Sequence, residues 1–290
     1  QHRVFFIEEP VYSEDGGEPR WQCSQSAGNV TVCNAITPVP DPGFNEHQMP
    51  SLRRLMAELA EREKLQGCIA WIYTPMAAPL LETLSPSAVV YDCMDELSGF
   101  RGAPPELLEH ESELFRAADV VFTGGPSLYR SKRDRHPNVH CFRSSVDAAH
   151  FGQARNGQDA PDQAALPHPR LGFFGVIDER IDLPLLDAMA TQRPEWQIVM
   201  VGPTTKIDPG SLPRHPNIHY FGQRSYAALP SFLAGWDVCL LPFARNEATR
   251  FISPTKTLEY MVAGKPIVST PITDVAQPYG DIVHLGETPD

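Results

Sequence analysis

The sequence predicts an α/β protein built from two Rossmann-like parallel-sheet domains. Three observations predict it. The chain has 290 residues, and about 150 residues per domain makes two domains the natural count. Short apolar runs alternate with helical patterns along the whole length, as expected for parallel strands joined by crossover helices. Between residues 152 and 169 the alternation stops in a stretch rich in Gly, Gln, Asp, Ala and Pro, which reads as a domain boundary. The expected domains are residues 1–160 and 161–290.

In the N-terminal half, Val4 to Ile7 is an apolar strand, and residues 8–50 are a long Pro- and Gly-rich excursion with room for a hairpin around Trp21 to Ala35. Ser51 to Gln66 sets Leu52, Leu55, Met56 and Leu59 on one helical face and stops at Gly67. Cys68 to Tyr73 is a buried strand, and a helix is expected near Ala77 to Leu84. Strand Ala88 to Tyr91 runs into Asp92-Cys93-Met94-Asp95-Glu96. A helix from about Pro105 to Ala117, strand Asp119 to Thr123, a short helix near Ser127 and strand Val139 to Phe142 follow.

The C-terminal half repeats the alternation. Its strands are Leu171 to Val176, Gln197 to Val201, Ile218 to Phe221, Val238 to Leu241 and Ile267 to Thr270, with a further one at Ile282 to Leu285. Helices are expected near Leu183 to Thr191, Tyr226 to Ala234 and Thr255 to Ala263. Two such domains enclose a cleft, and parallel sheets bind ligands at the carboxyl ends of their strands.

Composition bounds the chemistry. The chain is 42% apolar and 21% charged, ordinary for a globular protein with real cores. A formal net charge of −12 argues against a nucleic-acid partner, which needs a basic surface. The six cysteines include no C-x-x-C pair, so zinc and a disulfide framework are disfavoured and a reducing cytoplasm is the expected setting. Cys23 and Cys33 are the pair that could join. No apolar run approaches the roughly 20 residues of a membrane span. Arg130, Lys132, Arg133 and Arg135 form a basic run, read either as a solvated helix end or as a peripheral contact with an anionic membrane face.

The most informative stretch is Ser253 to Pro271. Ser253 is expected to cap a helix with Pro254 in its first turn, and Gly264 and Pro266 to stop it. Leu258, Met261 and Val262 define the expected buried face, leaving Thr255, Lys256 and Glu259 together off it. A hydroxyl, an ammonium and a carboxylate beside a helix N-terminus suit a phosphate-bearing ligand with hydroxyls at its far end, such as a sugar nucleotide. A solvated polar face is the other reading. Elsewhere in this half, marked residues fall just past strands: Gly175 then Arg180, Gly202 then Lys206, Gly222 then Gln223 and Arg224. Glycine there admits a ligand close to the backbone. Arg180, Lys206 and Lys256 would surround one diphosphate.

Gly-Phe-Phe-Gly-Val-Ile at 172–177, Trp-Gln-Ile-Val-Met-Val-Gly-Pro at 196–203, Asn-Ile-His-Tyr-Phe-Gly at 217–222, Asp-Val-Cys-Leu-Leu-Pro-Phe at 237–243 and the stretch from Ser253 to Pro271 together resemble the GT-B glycosyltransferases. The closest resemblance is to the large group of retaining, nucleotide-sugar-dependent enzymes of bacterial polysaccharide assembly (group 1-like). Val139 to Phe151 is similar to the segment that closes that family's N-terminal domain.

The resemblance implies a hexosyltransferase working without metal, with a nucleotide-diphosphate sugar as donor and a polysaccharide or lipid-linked saccharide as acceptor. It implies that Glu259 meets the ribose, Ser253, Thr255 and Lys256 the sugar and diphosphate, and Arg180 with Lys206 the leaving diphosphate. Gln223 and Arg224 fall near the base, and Gly175 at the donor's backbone approach. Phe251 stands where the family has the first glutamate of an E-x7-E element, which leaves the donor-sugar contact open. Asp95 takes the place of a histidine beside the transferred sugar, so Asp95, Arg180 and Lys256 are the catalytic candidates. Asp95 reads either as a group near the acceptor, or a base if the enzyme inverts, or as a strand-end cap. Against the family pattern, a first strand with its glycine-rich loop and the C-terminal crossing helices are expected to be missing. A nucleotide-sugar-binding module without activity and a sugar-nucleotide 2-epimerase are the alternatives. A Rossmann dehydrogenase is disfavoured because no G-x-G-x-x-G follows a strand.

Overall fold

The N-terminal strand β1 (Val4–Tyr12) runs well past the expected Ile7. Pro10 is tolerated because the pairing register breaks between Glu8 and Val11, where no ladder hydrogen bond is required of it. The Pro- and Gly-rich excursion carries a hairpin, as expected: β2 (Arg20–Gln25) pairs antiparallel with β3 (Val30–Thr37), and β3 pairs parallel with β1. This computed structural model describes residues 2–26 and 28–289. Gln1, Ala27 and Asp290, on which the hairpin and chain-end expectations touch, lie outside the described residues.

Two compact units divide the chain. The first holds residues up to Cys93 with Pro104–Phe122 and Arg135–His140. In it, α1 (Met49–Glu63) buries Leu52, Leu55, Met56 and Leu59 together with Cys33 and Ala35 of β3. The one-sided apolar face foreseen for this helix is the face that packs. A second sheet has the order β4-β5-β6-β7, formed by β4 (Ile69–Ile72), β5 (Ala88–Cys93), β6 (Val120–Thr123) and β7 (Val139–Cys141). Pro75–Thr83 is a 3-10 segment rather than an α-helix, since Pro79, inside it, removes an amide donor that an α-helix would use. α2 (Leu107–Ala117) buries Glu111, which accepts from the Tyr91 hydroxyl at 3.1 Å and pairs with Arg135.

The second unit holds Met94–Ala103, Thr123–Asp134 and everything from Cys141 onward. It contains α3 (Pro126–Lys132), α4 (Ala148–Gly152) and a six-stranded parallel sheet. The elements of the sheet layer run β8 (Arg170–Phe174), α5 (Leu183–Gln192), β9 (Gln197–Val201), β10 (Ile218–Gly222), α6 (Leu229–Ala234), β11 (Val238–Leu241), α7 (Lys256–Val262), β12 (Ile267–Ser269), α8 (Thr273–Tyr279) and β13 (His284–Leu285). Every residue of β8 and β9 is buried, the pattern of central parallel strands. The stretch 152–169 packs onto this unit: Gln163 is buried, accepts from Trp236 Nε1 at 3.0 Å and donates to the Phe232 carbonyl at 2.8 Å. The basic run is taken up largely in pairing, with Lys132 buried against Glu96 and Arg130 donating to Gln277. Among the described residues no helix is long and apolar enough to cross a membrane.

Two details of α7 differ from expectation. The helix begins at Lys256, with Thr255 in the cap position and no side-chain cap, so Ser253 does not cap it. The deeply buried positions are Thr257 and Tyr260, while Leu258, Met261 and Val262 are half-buried. The Tyr260 hydroxyl accepts from the Phe174 amide at 3.2 Å, and its ring packs on Phe174 and Trp236. With its polar end satisfied, the larger ring takes the core and turns the aliphatic residues toward the rim. The helix α8 was not foreseen, because Pro278 interrupts its pattern.

Trp236 lies flat against Gly172: a Cβ there would stand 1.9 Å from the indole. Gly172→Ala is therefore expected to destabilise the protein by about 1–3 kcal/mol through overpacking, measured by chemical denaturation. Wild-type stability in that variant would contradict the packing.

Candidate functional site

The sheet order β10-β9-β8-β11-β12-β13 places the topological switch between β8 and β11, since the chain winds outward from β8 to one side and then from β11 to the other. Ligands of open parallel sheets bind beyond the carboxyl ends of the strands at such a point. Here the loops after β8, β9 and β11 are tied together by their backbones. The Ala244 amide donates to the Arg180 carbonyl at 2.8 Å, the Asp182 amide to the Pro242 carbonyl at 2.9 Å, and the Ile177 amide to the Pro203 carbonyl at 2.9 Å. Gly175 and Gly202 close β8 and β9 with φ of 144° and 148°, a region that other residues reach only with strain. A Cβ on Gly202 would fall 1.8 Å from the Gly175 carbonyl oxygen, and one on Gly175 would fall 2.3 Å from Lys256 Cε. Gly175 thus leaves the space that the Lys256 stem occupies.

Lys256 opens α7 and is half-buried. Burial pushes its ammonium pKa below the ordinary lysine value; the Glu259 carboxylate opposes that shift and the Arg180 charge adds to it. Among the described residues its ammonium makes no hydrogen bond or ion pair. Glu259 stands one turn along. Burial raises its carboxyl pKa against the pull of Lys256, the Thr255 hydroxyl and His150. Its Oε2 is buried without a hydrogen-bond partner, an arrangement that native interiors rarely leave in place without reason.

Arg180 grips Asp178 in a fork, with Nε at 2.9 and 3.1 Å from the two carboxylate oxygens and Nη2 at 2.7 Å. Burial works against the guanidinium charge, but Asp178 first, then Asp95 and Glu179, raise its pKa overall. Asp178 is only 3% exposed, so it depends on this partner. Burial raises the Asp95 carboxyl, countered by Arg180. Lys206 takes a left-handed backbone with φ of 60°, and its Nζ lies 5.0 Å from the centroid of the Phe100 ring. Strained non-glycine backbone is characteristic of functional loops.

Most of the sequence-derived residues thus fall into one electrostatically coupled group: Asp95, Gly175, Arg180, Lys256 and Glu259, with Lys206 joined to Arg180 through Phe100. Thr255 supports Glu259 by its hydroxyl and by its carbonyl, which accepts from the Glu259 amide at 3.2 Å. The others are placed differently. Arg224 is held by Asp162 at 2.8 Å and donates to the Gln223 carbonyl at 3.2 Å, while the Gln223 side chain is exposed. Ser253 packs against Gly125, where an added Cβ would stand 2.7 Å from Ser253 Cβ. Sequence reasoning missed Asp178, Glu179 and Phe100. It also missed the stack of His150 on Tyr226, whose rings lie 4.1 Å apart. Asp178 and Glu179 adjoin Arg180 and could have been flagged by that; Phe100 carries no local signal. Among the described residues no group of three or more His, Cys, Asp or Glu side chains is placed to hold a metal ion.

These features define an α/β fold with parallel sheets, and its structural neighbours are GT-B glycosyltransferases. Residues 168–286 match the family model described as glycosyl transferases group 1, which covers the sheet and loops just described. A relative from Bacillus subtilis, the "Putative teichuronic acid biosynthesis glycosyltransferase TuaH", is 26% identical over 248 residues, covering 78% of this chain and 61% of that protein. The chain therefore spans less than two thirds of the length of this relative. Among solved structures, HepE of Anabaena in complex with UDP and glucose superposes with a TM-score of 0.65 at 15% identity, covering 90% of this chain and 73% of that one. Sucrose-phosphate synthase from Thermosynechococcus elongatus superposes with a TM-score of 0.68 at 14% identity, covering 94% and 72%. At such identities the structural likeness is one of fold.

The depressed pKa of Lys256 has a consequence for stability. A lysine whose folded pKa lies below its unfolded one costs nothing well above the unfolded value, near 10.5; its cost builds as pH falls from that value toward the folded one and is full below the folded value. Lys256→Met is therefore expected to raise the melting temperature at pH 7 and to raise it less near pH 10, followed by thermal denaturation at both. A lower melting temperature at pH 7 would contradict the assignment.

Proposed function

We propose that the chain is a glycosyltransferase that moves a sugar from a nucleotide-diphosphate sugar to a polysaccharide or lipid-linked saccharide acceptor. The observation that carries this reading is the convergence of Arg180, Lys206 and Lys256 on loops at the sheet's topological switch, with Lys256 near Glu259 but in no direct ion pair among the described residues. A diphosphate would supply that direct partner. Departure of a nucleoside diphosphate develops charge on its oxygens, and preorganised cations stabilise that charge in place of a metal. Glu259, with a buried oxygen free to accept, suits the ribose hydroxyls. Asp95, half-buried beside Arg180, suits a polar role near the transferred sugar. Bacterial polysaccharide assembly at the cytoplasmic side is in keeping with the teichuronic acid relative, and the net charge of −12 with nucleic acid not being a partner.

Isothermal calorimetry with UDP and GDP tests the donor site. Lys256→Ala and Lys206→Ala are each expected to weaken binding of the preferred nucleotide about tenfold or more. Arg180→Lys is the informative change at that position, because alanine would strand the buried Asp178 carboxylate; its geometry loss is expected to weaken binding several-fold. Unchanged affinity in all three would sink the assignment. A second reading, binding without turnover, is favoured by Phe251 in place of the expected glutamate. Nucleotide binding with no release of nucleotide from any UDP- or GDP-sugar would select it.

A further inference from the structure

We infer that Phe100 is a positioning residue of the donor site, whose ring sets where the Arg180 and Lys206 cations stand. The inference rests on the reading that these cations meet a nucleotide diphosphate. The ring centroid lies 5.5 Å from Arg180 Cζ and 5.0 Å from Lys206 Nζ, so two cations from the loops after β8 and β9 converge on one aromatic side chain.

The backbone that carries the ring is fastened independently of the cations. Gly99 lies against Glu247, where an added Cβ would stand 2.8 Å from the carbonyl oxygen. The Arg101 amide donates to Glu179 Oε1 at 3.3 Å. Asn246, which caps the short 3-10 turn Glu247–Thr249, donates from Nδ2 to the Glu179 carbonyl at 2.8 Å. Phe100 is thereby flanked by anchors to the loop that presents Arg180. The ring thus stands on a backbone held on both sides, next to Arg180, which Asp178 also holds, and to Lys206.

An aromatic ring suits this role where a carboxylate would not. A carboxylate beside Lys206 would cancel its charge and compete with phosphate oxygens for its protons. The ring attracts a cation through its quadrupole and leaves the N–H donors open. A lysine side chain carries about 2 kcal/mol of rotamer entropy, so holding it in place before the anion arrives lowers the entropy lost on binding. The left-handed backbone at Lys206, φ 60°, aims the side chain from a conformation that neighbouring loops must stabilise. Arg180 is already held by Asp178, and the ring restricts it further.

The test uses the whole chain, with UDP, GDP and uridine as probes and competition calorimetry as the readout. Phe100→Leu and Phe100→Met keep apolar bulk and remove the ring; Phe100→Tyr keeps it. Leu and Met variants are expected to bind the preferred nucleoside diphosphate roughly tenfold more weakly, about 1.4 kcal/mol. The Tyr variant is expected within about twofold of wild type, and uridine, which lacks phosphates, to bind all forms alike. In a Lys206→Ala background the Leu substitution is expected to cost clearly less, since one of its partners is gone. Should Phe100→Leu fail to fold, Phe100→Met carries the same comparison. Wild-type affinity in the ring-less variants overturns the inference, and so does an equal loss for uridine, which would mark a structural role only. If the wild-type chain binds neither UDP nor GDP, the donor-site reading fails and the inference fails with it.

Discussion

A half-buried ammonium that forms no ion pair or hydrogen bond among the described residues is the constraint around which the C-terminal unit is arranged. Lys256 sits at the start of α7 over a glycine that leaves it room, with Arg180 as an electrostatic neighbour that repels it. Removing a charge from water without pairing it costs several kcal/mol in an ordinary interior. An outside anion can complete such a group, whereas several arginines of this unit are already paired. Arg180 has Asp178, Arg224 has Asp162 and Arg170 has Asp159, yet Lys256 has none among the described residues. Glu259 Oε2, buried without a partner on the same turn, is the complementary vacancy for a hydroxyl donor.

The rest of the unit holds this arrangement in place. The all-parallel sheet fixes where its strand ends lie, and the amide-to-carbonyl bonds among the loops after β8, β9 and β11 turn those loops into one framework. Below them Tyr260, Trp236 and Phe174 lock α7 to the sheet, with Gly172 giving the indole its seat. A change in that aromatic cluster would move Lys256 and Glu259 together, since both ride on α7. Local stability and site geometry are therefore carried by the same contacts.

Much of this was legible from residue pattern alone. Strands of the C-terminal sheet announced themselves as apolar runs, and glycines closing them at Gly175 and Gly202 marked where backbones approach closely. Lys256, Arg180 and Glu259 followed from position past strand ends and on one side of a helix. What stayed hidden depended on contacts distant in sequence. Tyr260 displaced the aliphatic residues from the deepest positions because the Phe174 amide, 86 residues away, satisfies its hydroxyl. Arg224 looked available until Asp162 was brought beside it. Phe100 lies far from every other donor-side residue in the chain, and only the packing of Met94–Ala103 onto the C-terminal unit brings it to them. Pro278 concealed α8, and Pro79 turned an apolar helical pattern into 3-10 geometry.

The most direct measurement is an NMR titration of the Lys256 side-chain amine, assigned with Lys256→Arg, in the free protein and with UDP or GDP bound. The account predicts a pKa below the ordinary lysine value when free, rising when the diphosphate binds. An ordinary lysine pKa that neither nucleotide moves would contradict it.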